Sequence, residues 1–359
     1  MPSYAVLFGG PSPEHDVSIL TGLQAARALG DAACLYWAKN GDFWEVDGAL
    51  EASAFADGVP RKAGRLRLVA GEGFVGKRRP LELAAVVNCC HGGPGEDGTL
   101  QGALDLAGVR YTGPTVAGAV LGMDKLAFGQ VVAAAGLPAL PRLALTPDVK
   151  VVWSGPSIVK PRFGGSSIGI EVVADVATAQ ALLPASPHLR AGAVIEPYRG
   201  DAYDLNVAVR SWPALELSAV ERPLRGDGSG AILGYRDKYL GGEGMASAPR
   251  ELPAALPAGA TERVRELALS VASTAGVRGV ARIDFLAAGE ACEELYVNEI
   301  NTVPGSLARY LWVDPVVPFR RLLGDMLDEA ERRPTFSWTT QGADGTALRA
   351  AGSIAGKLA

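Results

Sequence analysis

The stretch that most restricts the fold is ARIDFLAAGEACEELYVNEINTVPG, residues 281 to 305. It reads as two short strands, over ARIDFL and ELYVNEIN, joined by a turn across Ala287 to Glu293. Side chains alternate faces along a strand, so Arg282 and Asp284 share one side while Ile283 and Phe285 take the other. On the second strand Glu299 and Asn301 share a face, opposite Ile300. A hairpin that sets Asp, Glu and Asn oxygens beside one Arg makes a hard-oxygen pocket suited to Mg²⁺ and a polyphosphate. Paired acids on a strand are also common as plain solvated surface. The alternation alone does not separate the two readings; the rest of the chain does.

With 359 residues, 48% of them hydrophobic, the chain is long enough for two or three domains with real cores. A net charge of −5 and the lack of any dense basic block point away from nucleic acid and towards small-molecule partners. No apolar run reaches the ~18 residues of a membrane span, and the start MPSYAVLFGG has no basic leader, so a cytoplasmic protein without membrane contact is expected. The four cysteines, at 34, 89, 90 and 292, show no CxxC spacing, and the three histidines, at 15, 91 and 188, form no ligand motif. Buried reduced thiols and no zinc site follow.

YAVLFGG is an apolar strand ending in a Gly pair, followed by a helical pattern in SILTGLQAARALG that stops at Gly30. AAVVNCC, residues 84 to 90, is another buried-type strand, running into HGGPGEDGTLQGALDLAG, where Asp97 is placed to cap a helix ending at Gly108. Strands alternating with helices imply a parallel sheet, with ligands at the carboxyl ends of its strands. Two loops lie at such ends. In the first, Glu14 sits at a helix start, as an electrostatic cap or as a ligand; in the second, His91 is either structural or a neutral donor to a substrate anion.

GMDKLAFGQVVAAAGLP reads as a helix capped by Asp124, with Lys125 in its first turn, where the helix dipole opposes a cation. A residue set against a local rule invites a functional reason, here an anionic phosphate. SIVKPRFGGSSIGIEVV, residues 157 to 173, is a strand, a Gly-rich turn and a strand; it is neither a Walker A loop nor a GxGxxG opening a helix. Such a loop is either merely flexible or folds over phosphates with its backbone N–H groups, with Lys160 just upstream aimed at the same charge. In AVIEPYRGDAYDLNVAV, Glu196 ends one strand and Asp204 starts the next across a turn. The polar, Gly-rich residues 224 to 249 are long for a connection and read as a lid carrying Lys238 and Tyr239.

In order, LFGGPSPEHDVS, HGGPGEDGTLQGALDLAGVRYTG, GMDK, IVKPRFGGSSIG, VIEPY, KYL, and RIDF with VNEINTVPG resemble the ATP-grasp superfamily, and within it the D-alanine–D-alanine ligases. The resemblance runs from residue 7 to residue 305. It implies an α/β and α+β, three-domain ATP-grasp architecture. The expected units are an N-terminal parallel-sheet domain over 1–124, a small central domain over 125–209 and a C-terminal domain over 210–335 with the lid at 224–249, leaving a tail at 336–359. By motif match, Lys125, Lys160 and the loop holding Gly165 and Ser167 look like the ATP-phosphate site. Glu196 and the backbone near Tyr198 resemble the adenine site, and Asp204 the ribose site. Asp284, Glu299 and Asn301 match the ligands of two Mg²⁺ ions, with Mn²⁺ a possible substitute. Similar enzymes phosphorylate one amino acid's carboxylate and join it to a second amino acid's amine, making a dipeptide for peptidoglycan. Two anions must meet, so cations are needed, which suits Arg282 and Lys238. Arg282 and the N–H of Gly305 then hold the oxyanion, while Glu14, Ser166 and Tyr239 form a set that clamps the lid. His91 matches a residue near the first substrate's carboxylate. A homodimer is the expected assembly.

Two departures stand out. The family usually has a Ser before Leu or Met where this chain has Tyr310 before Leu311, so the second-substrate pocket must be reshaped or its substrate must differ; Gly164 replaces a charged loop residue common in the family. Three readings therefore stand: a D-alanine–D-alanine-type ligase, a ligase of the same chemistry acting on another amino acid or amine, and a catalytically silent nucleotide binder.

Overall fold

The computed structural model describes residues 3–77, 79–224, 249–335, 339–352 and 354. Lys238 and Tyr239, and nearly all of the expected lid, lie outside the described residues.

The first sheet contains β1 (Tyr4–Gly9), β2 (Ala33–Trp37), β3 (Phe43–Val46), β4 (Gly64–Val69), β5 (Gly73–Val75) and β6 (Ala85–Asn88), in the order β5-β4-β3-β2-β1-β6. Between β1 and β2 runs α1 (His15–Leu29); after β6 come α2 (Thr99–Ala107) and α3 (Val116–Met123). β1 is apolar throughout because both its faces are covered. Val6 and Phe8 pack into the core that holds Ile19 and Leu23 of α1, while Ala5 and Leu7 join Leu100 and Leu104 of α2. The expected parallel sheet is realised only across β6, β1 and β2; β3, β4 and β5 run antiparallel. The reason is local. Asn40-Gly41 makes a tight reversal, with Gly41 at φ +90° and its N–H donating to Ala38 O at 2.9 Å. A turn that short returns the chain beside itself, antiparallel.

α4 (Lys125–Ala134) leads into a second, antiparallel sheet of β7 (Leu143–Ala144), β8 (Ser157–Pro161), β9 (Glu171–Val173) and β10 (Ala193–Pro197), ordered β7-β10-β8-β9, with α5 (Val176–Ala185) against it. Asp124 caps α4 as expected, its Oδ1 accepting from Leu126 N and Ala127 N. Asp97 does not occupy the cap of α2. Gly98 does, at φ +98°, and Asp97 accepts the Thr99 N–H from one position outside.

The third sheet, ordered β13-β12-β11-β14-β15, contains β11 (Tyr203–Arg210), β12 (Glu216–Pro223), β13 (Arg250–Glu251), β14 (Val280–Ala288) and β15 (Glu294–Asn301). Between β13 and β14 lies α6 (Ala260–Thr274), whose Val264, Ala268 and Val271 share one core with Phe128 and Val132 of α4 and with Ala281, Ile283, Phe285 and Ala287 of β14. Arg282 and Asp284 are thereby turned to the opposite face, as the alternation requires. β14 pairs Arg282 with Asn301 and Asp284 with Glu299, and the register then skips Asn298. That bulge brings Asn298 into the cavity lining beside Glu299 and Asn301.

Two boundaries differ from the expected ones. β10 and β11 belong to different sheets, so the central unit ends in the turn between Pro197 and Tyr203 rather than at 209. The chain also does not stay in the third unit to residue 335. After the irregular segment Gly305–Leu311, left-handed at Ser306, Leu307 and Ala308, α7 (Phe319–Arg332) buries Leu322, Leu323, Met326, Leu327 and Ala330 in the same core as α1 and β6. Its apolar stripe needs a partner, and the first sheet supplies it. In the tail α8 (Thr346–Arg349) has no buried residue. All four cysteines are free and buried, as the composition suggested.

Gly22 is where α1 meets β1 most closely: a Cβ there would lie 2.4 Å from both Cβ and Cγ of Phe8. Alanine normally gains about 1 kcal/mol over glycine inside a helix, but the clash reverses the sign. Gly22→Ala is expected to destabilise the first unit by about 2 kcal/mol, read as a lower urea midpoint by tryptophan fluorescence; an unchanged or higher midpoint would contradict this packing.

Candidate active site

One cavity of about 370 Å³ is walled by all three units, from Glu14 and His91 through Lys125, Lys160 and Glu196 to Asp284 and Glu299. Of the expected site residues, Glu14, His91, Lys125, Lys160, Gly165, Ser166, Ser167, Glu196, Tyr198, Asp204, Arg282, Asp284, Glu299, Asn301 and Gly305 line it. The side chains of Tyr310 and Leu311 do not. Leu311 is wholly buried in the core beneath, and Tyr310 is covered by the Arg250 guanidinium, 4.6 Å from its ring centroid.

The wall expected to take nucleotide is built on buried charges that neutralise one another. Glu196, 1% exposed, accepts Arg142 Nε at 2.7 Å and Lys160 Nζ at 3.0 Å. Burial alone would raise its pKa, but Arg142 and Lys160 hold it below the usual carboxylate range. Lys160 also donates to Asn298 Oδ1 at 3.1 Å, which is where the bulge in β15 has its effect. Lys160 and Glu196, matched to phosphate and adenine, are thus direct partners. The N–H of Tyr198 is committed to Pro156 O at 3.0 Å. Lys125 is only 8% exposed; its Nζ donates to Gly164 O and stands 3.8 Å from Glu299 Oε2. Burial, aided by Lys160 and Arg142, lowers its pKa against the pull of Glu299.

The Gly-rich loop between β8 and β9 is bound down from two sides. Lys125 holds Gly164, and Ser166 donates its hydroxyl to Glu14 Oε1. Ser166 and Ser167 take left-handed backbone angles, φ +54° and +59°. L-residues held so cost about 1 kcal/mol or more each and mark places where surrounding contacts dictate the backbone. Glu14 forms no side-chain cap on α1. The capping reading therefore gives way to a contact that joins the first unit to the loop.

His91 Nδ1 lies 2.7 Å from Val303 O, a pure acceptor, so Nδ1 carries the proton. Burial lowers the ring's pKa, so the neutral Nε2, 2.7 Å away, accepts the hydroxyl of Thr21. Thr21 Oγ1 in turn accepts Ser306 N–H at 3.0 Å. Both ring nitrogens are spent on protein, which replaces the expectation that His91 donates to a substrate anion with an orienting role for the loop after β15.

Arg282 forks onto Asp284, with Nε to Oδ1 and Nη2 to Oδ2 both at 2.6 Å, and Asn301 Nδ2 donates to Asp284 Oδ2 at 3.0 Å. Two carboxylates and an amide in adjacent register are hard oxygen donors of the type Mg²⁺ selects. Among the described residues no group of three His, Cys, Asp or Glu side chains gathers at all; this site has two carboxylates, with the Asn301 amide as its third donor.

Sequence reasoning missed three residues. Arg142 bonds Glu196, Lys125 O at 2.7 Å and Asn298 O at 2.8 Å, tying three segments together. A lone Arg before a two-residue strand gives no periodic signal. Asn298 is exposed to the cavity by a bulge that only pairing reveals. Glu96 accepts Val303 N–H at 2.8 Å and Gly92 N–H at 3.1 Å; burial and Glu14 raise its pKa to about 7 against those bonds. Its place in GED, just ahead of a helix, was the available signal.

Two outcomes follow. Arg142→Met strands the buried Glu196 beside one cation instead of two, and should raise KM for ATP about 10-fold or more; an unchanged KM would deny Arg142 this role. For Glu96 the folded pKa of about 7 exceeds the ordinary 4.5, so its ionisation opposes folding. The penalty is absent below pH 4.5, grows between 4.5 and about 7, and is complete above. Glu96→Gln should flatten the fall in Tm over that window, and an unaltered slope would exclude Glu96 as its source.

The chain matches two family descriptions, D-ala D-ala ligase N-terminus over residues 3–114 and D-ala D-ala ligase C-terminus over residues 140–323. A D-alanine--D-alanine ligase of Nitratiruptor sp. is 31% identical over 334 residues, covering 90% of this chain and 92% of that protein. Among solved structures, the D-alanine-D-alanine ligase of Helicobacter pylori superposes with a TM-score of 0.73 at 25% identity, over 94% of this chain and 100% of that one. VanG D-Ala:D-Ser ligase from Enterococcus faecalis gives 0.75 at 22% identity, over 92% and 99%, a likeness of fold. With both halves of its length and the ATP-grasp arrangement of its sheets in agreement, this chain belongs to the D-alanine–D-alanine ligase family.

Proposed function

We propose that the chain is an ATP- and Mg²⁺-dependent ligase that joins the carboxylate of one small amino acid to the amine of another through an acyl phosphate, with D-alanine, named for its relatives, as the activated substrate. The observation that carries this reading is the β14–β15 register. It sets Asp284 against Glu299 and Arg282 against Asn301, in the wall of a cavity that Lys125 and Lys160 also line. A carboxylate and a triphosphate repel each other, and catalysis of their reaction consists mainly of positioning and charge offset. Lys125 and Lys160, anchored by Glu299, Glu196 and Asn298, provide fixed positive charge without reorganising.

The donor set fits Mg²⁺: Asp284, Glu299 and Asn301 would hold two ions, or Mn²⁺ in their place, which when bound supply further charge neutralisation at the phosphates. In our reading the loop from Gly164 to Gly169 covers those phosphates with backbone N–H groups, Glu196 and the strand end at Tyr198 face adenine, and Asp204 faces ribose. Glu14, tied to Ser166, binds the first substrate's ammonium group, and His91 orients the loop beneath it through Thr21 and Val303. Arg282, held in plane by Asp284, and the N–H of Gly305 receive the oxyanion when the amine adds to the acyl carbon. Lys238 and Tyr239 belong to this scheme from the sequence alone. A cytoplasmic homodimer that feeds cell-wall synthesis completes it; among the described residues no helix is long and apolar enough to cross a membrane.

The silent-binder reading loses force because the phosphate and metal positions carry competent side chains that meet in one cavity. The test is direct. Phosphate release from ATP should require an added amino acid, and Asp284→Ala, which also frees Arg282, should lower it at least about 100-fold. Release that ignores added amino acids would leave an ATPase, and none from the unaltered protein with any of a panel of amino acids and amines would leave a nucleotide binder; either outcome overturns the ligase reading.

A further inference from the structure

Glu96, in the segment after β6, lines the cavity and is 8% exposed. Its Oε1 accepts Val303 N–H at 2.8 Å and the Thr302 hydroxyl at 3.3 Å, and its Oε2 accepts Gly92 N–H at 3.1 Å. His91, from the same segment, takes the carbonyl of Val303 with Nδ1 at 2.7 Å. The two peptide planes that meet at Val303 are thus each pinned, one by Glu96 and one by His91. Pro304 follows, its ring locking φ at −69°. Only the ψ of Pro304 then separates these pinned planes from the N–H of Gly305. The far end of the clamp has little room to shift: Gly92 sits at φ +62°, and a Cβ there would lie 2.2 Å from Glu14 Oε2.

Under the ligase reading, on which this inference rests, the Gly305 N–H and Arg282 receive the oxyanion when the amine adds to the acyl carbon. A donor helps there only if it is already in place, and a misplacement of about 1 Å can cost about 100-fold in rate. We propose that Glu96 is the positioning residue for this donor: it fixes the main chain at Val303 and, through Pro304, sets the direction of the Gly305 N–H. A carboxylate suits the task because all three groups it meets are donors. A glutamine offers a single acceptor oxygen, and its own N–H groups would face a donor at one end of the clamp. Two acids thus meet at Gly92 with separate tasks. Glu14, tied to Ser166, is left for the substrate's ammonium group, and Glu96 serves the main chain.

The experiment follows two fates of the acyl phosphate in one incubation, using D-alanine or whichever amino acid of the panel gives product. ATP carries heavy oxygen at its β–γ bridge: return of the phosphoryl group to ADP scrambles the label, whereas ligation yields dipeptide. Glu96→Gln should lower kcat for dipeptide about 10-fold or more and raise the ratio of scrambling to dipeptide by a similar factor, while KM for ATP holds. Glu96→Ala, which removes every acceptor, should shift the ratio further. His91→Phe loosens the same residue from its carbonyl side and should move the ratio in the same direction, which keeps the question open to an answer if the Glu96 variants fold poorly. Scrambling and dipeptide that fall together, or a ratio unchanged in these variants, would mean that Glu96 only supports the fold and would overturn the proposal. A raised KM for the amino acid at an unchanged ratio would place Glu96 on the substrate instead, and overturns it equally. If the unaltered protein gives neither scrambling nor dipeptide with any member of the panel, the ligase reading falls and this inference with it.

Discussion

The burial of one face of β14 fixes the rest of the site. Ala281, Ile283, Phe285 and Ala287 are each at most 1% exposed in the core they share with α4 and α6, so the strand cannot slip by one residue without driving Arg282 and Asp284 into that core. Burying an unpaired charge costs several kcal/mol, far more than any single ladder hydrogen bond returns. The apolar residues therefore set the position of the polar ones, and the facing strand inherits the same register. Asp284 meets Glu299 because Ile283 must meet Ile300.

Apart from Arg282 and Asp284, which pair within β14, charges in and behind the cavity wall pair between different segments. Glu196 of β10 holds Lys160 of β8 and Arg142 before β7; Lys125 of α4 reaches Glu299 of β15; Arg162 forks onto Asp124. Each pair offsets its desolvation by mutual attraction and at the same time fixes the distance between two chain segments. These pairs fix the wall's charges relative to one another, and fixed charges act most effectively on a transition state. Arg142 shows the economy of the arrangement: one planar fork serves a side chain and two carbonyls from two other elements.

Much of this was legible from residue order. Alternation along RIDF and NEIN assigned Arg282, Asp284, Glu299 and Asn301 to one face, because period two is a geometric property of any strand. Asp124 before Lys125 announced a capped helix, and the Gly-Gly-Ser-Ser run a backbone turn. What stayed hidden depends on partners far away in the chain. Asn298 faces Lys160 only because β15 bulges opposite β14; Arg142 acquires meaning from Glu196, 54 residues later. Tyr310 was expected to project into the pocket, and nothing local indicates that Arg250 lies across its ring. The Asn40-Gly41 reversal, by contrast, was available as a hairpin signal, and the parallel-sheet expectation overrode it.

Two strained loops meet the cavity from different units, and one helix restrains both. Ser166 and Ser167 are left-handed, as are Ser306, Leu307 and Ala308 at φ +50° to +51°. Five such residues carry together at least about 5 kcal/mol of conformational cost, so neither loop would hold its shape as an isolated segment. The first is held by Glu14, directly ahead of α1, through Ser166; the second by Thr21, within α1, through the N–H of Ser306, while His91 locks Thr21 from below. α1 is itself seated by Gly22 against Phe8 and by α7, which returns from the end of the chain to the same core. The N-terminal unit therefore acts as a jig: it adds few groups suited to nucleotide, yet it sets the two loops between which an acyl group and an amine would have to meet.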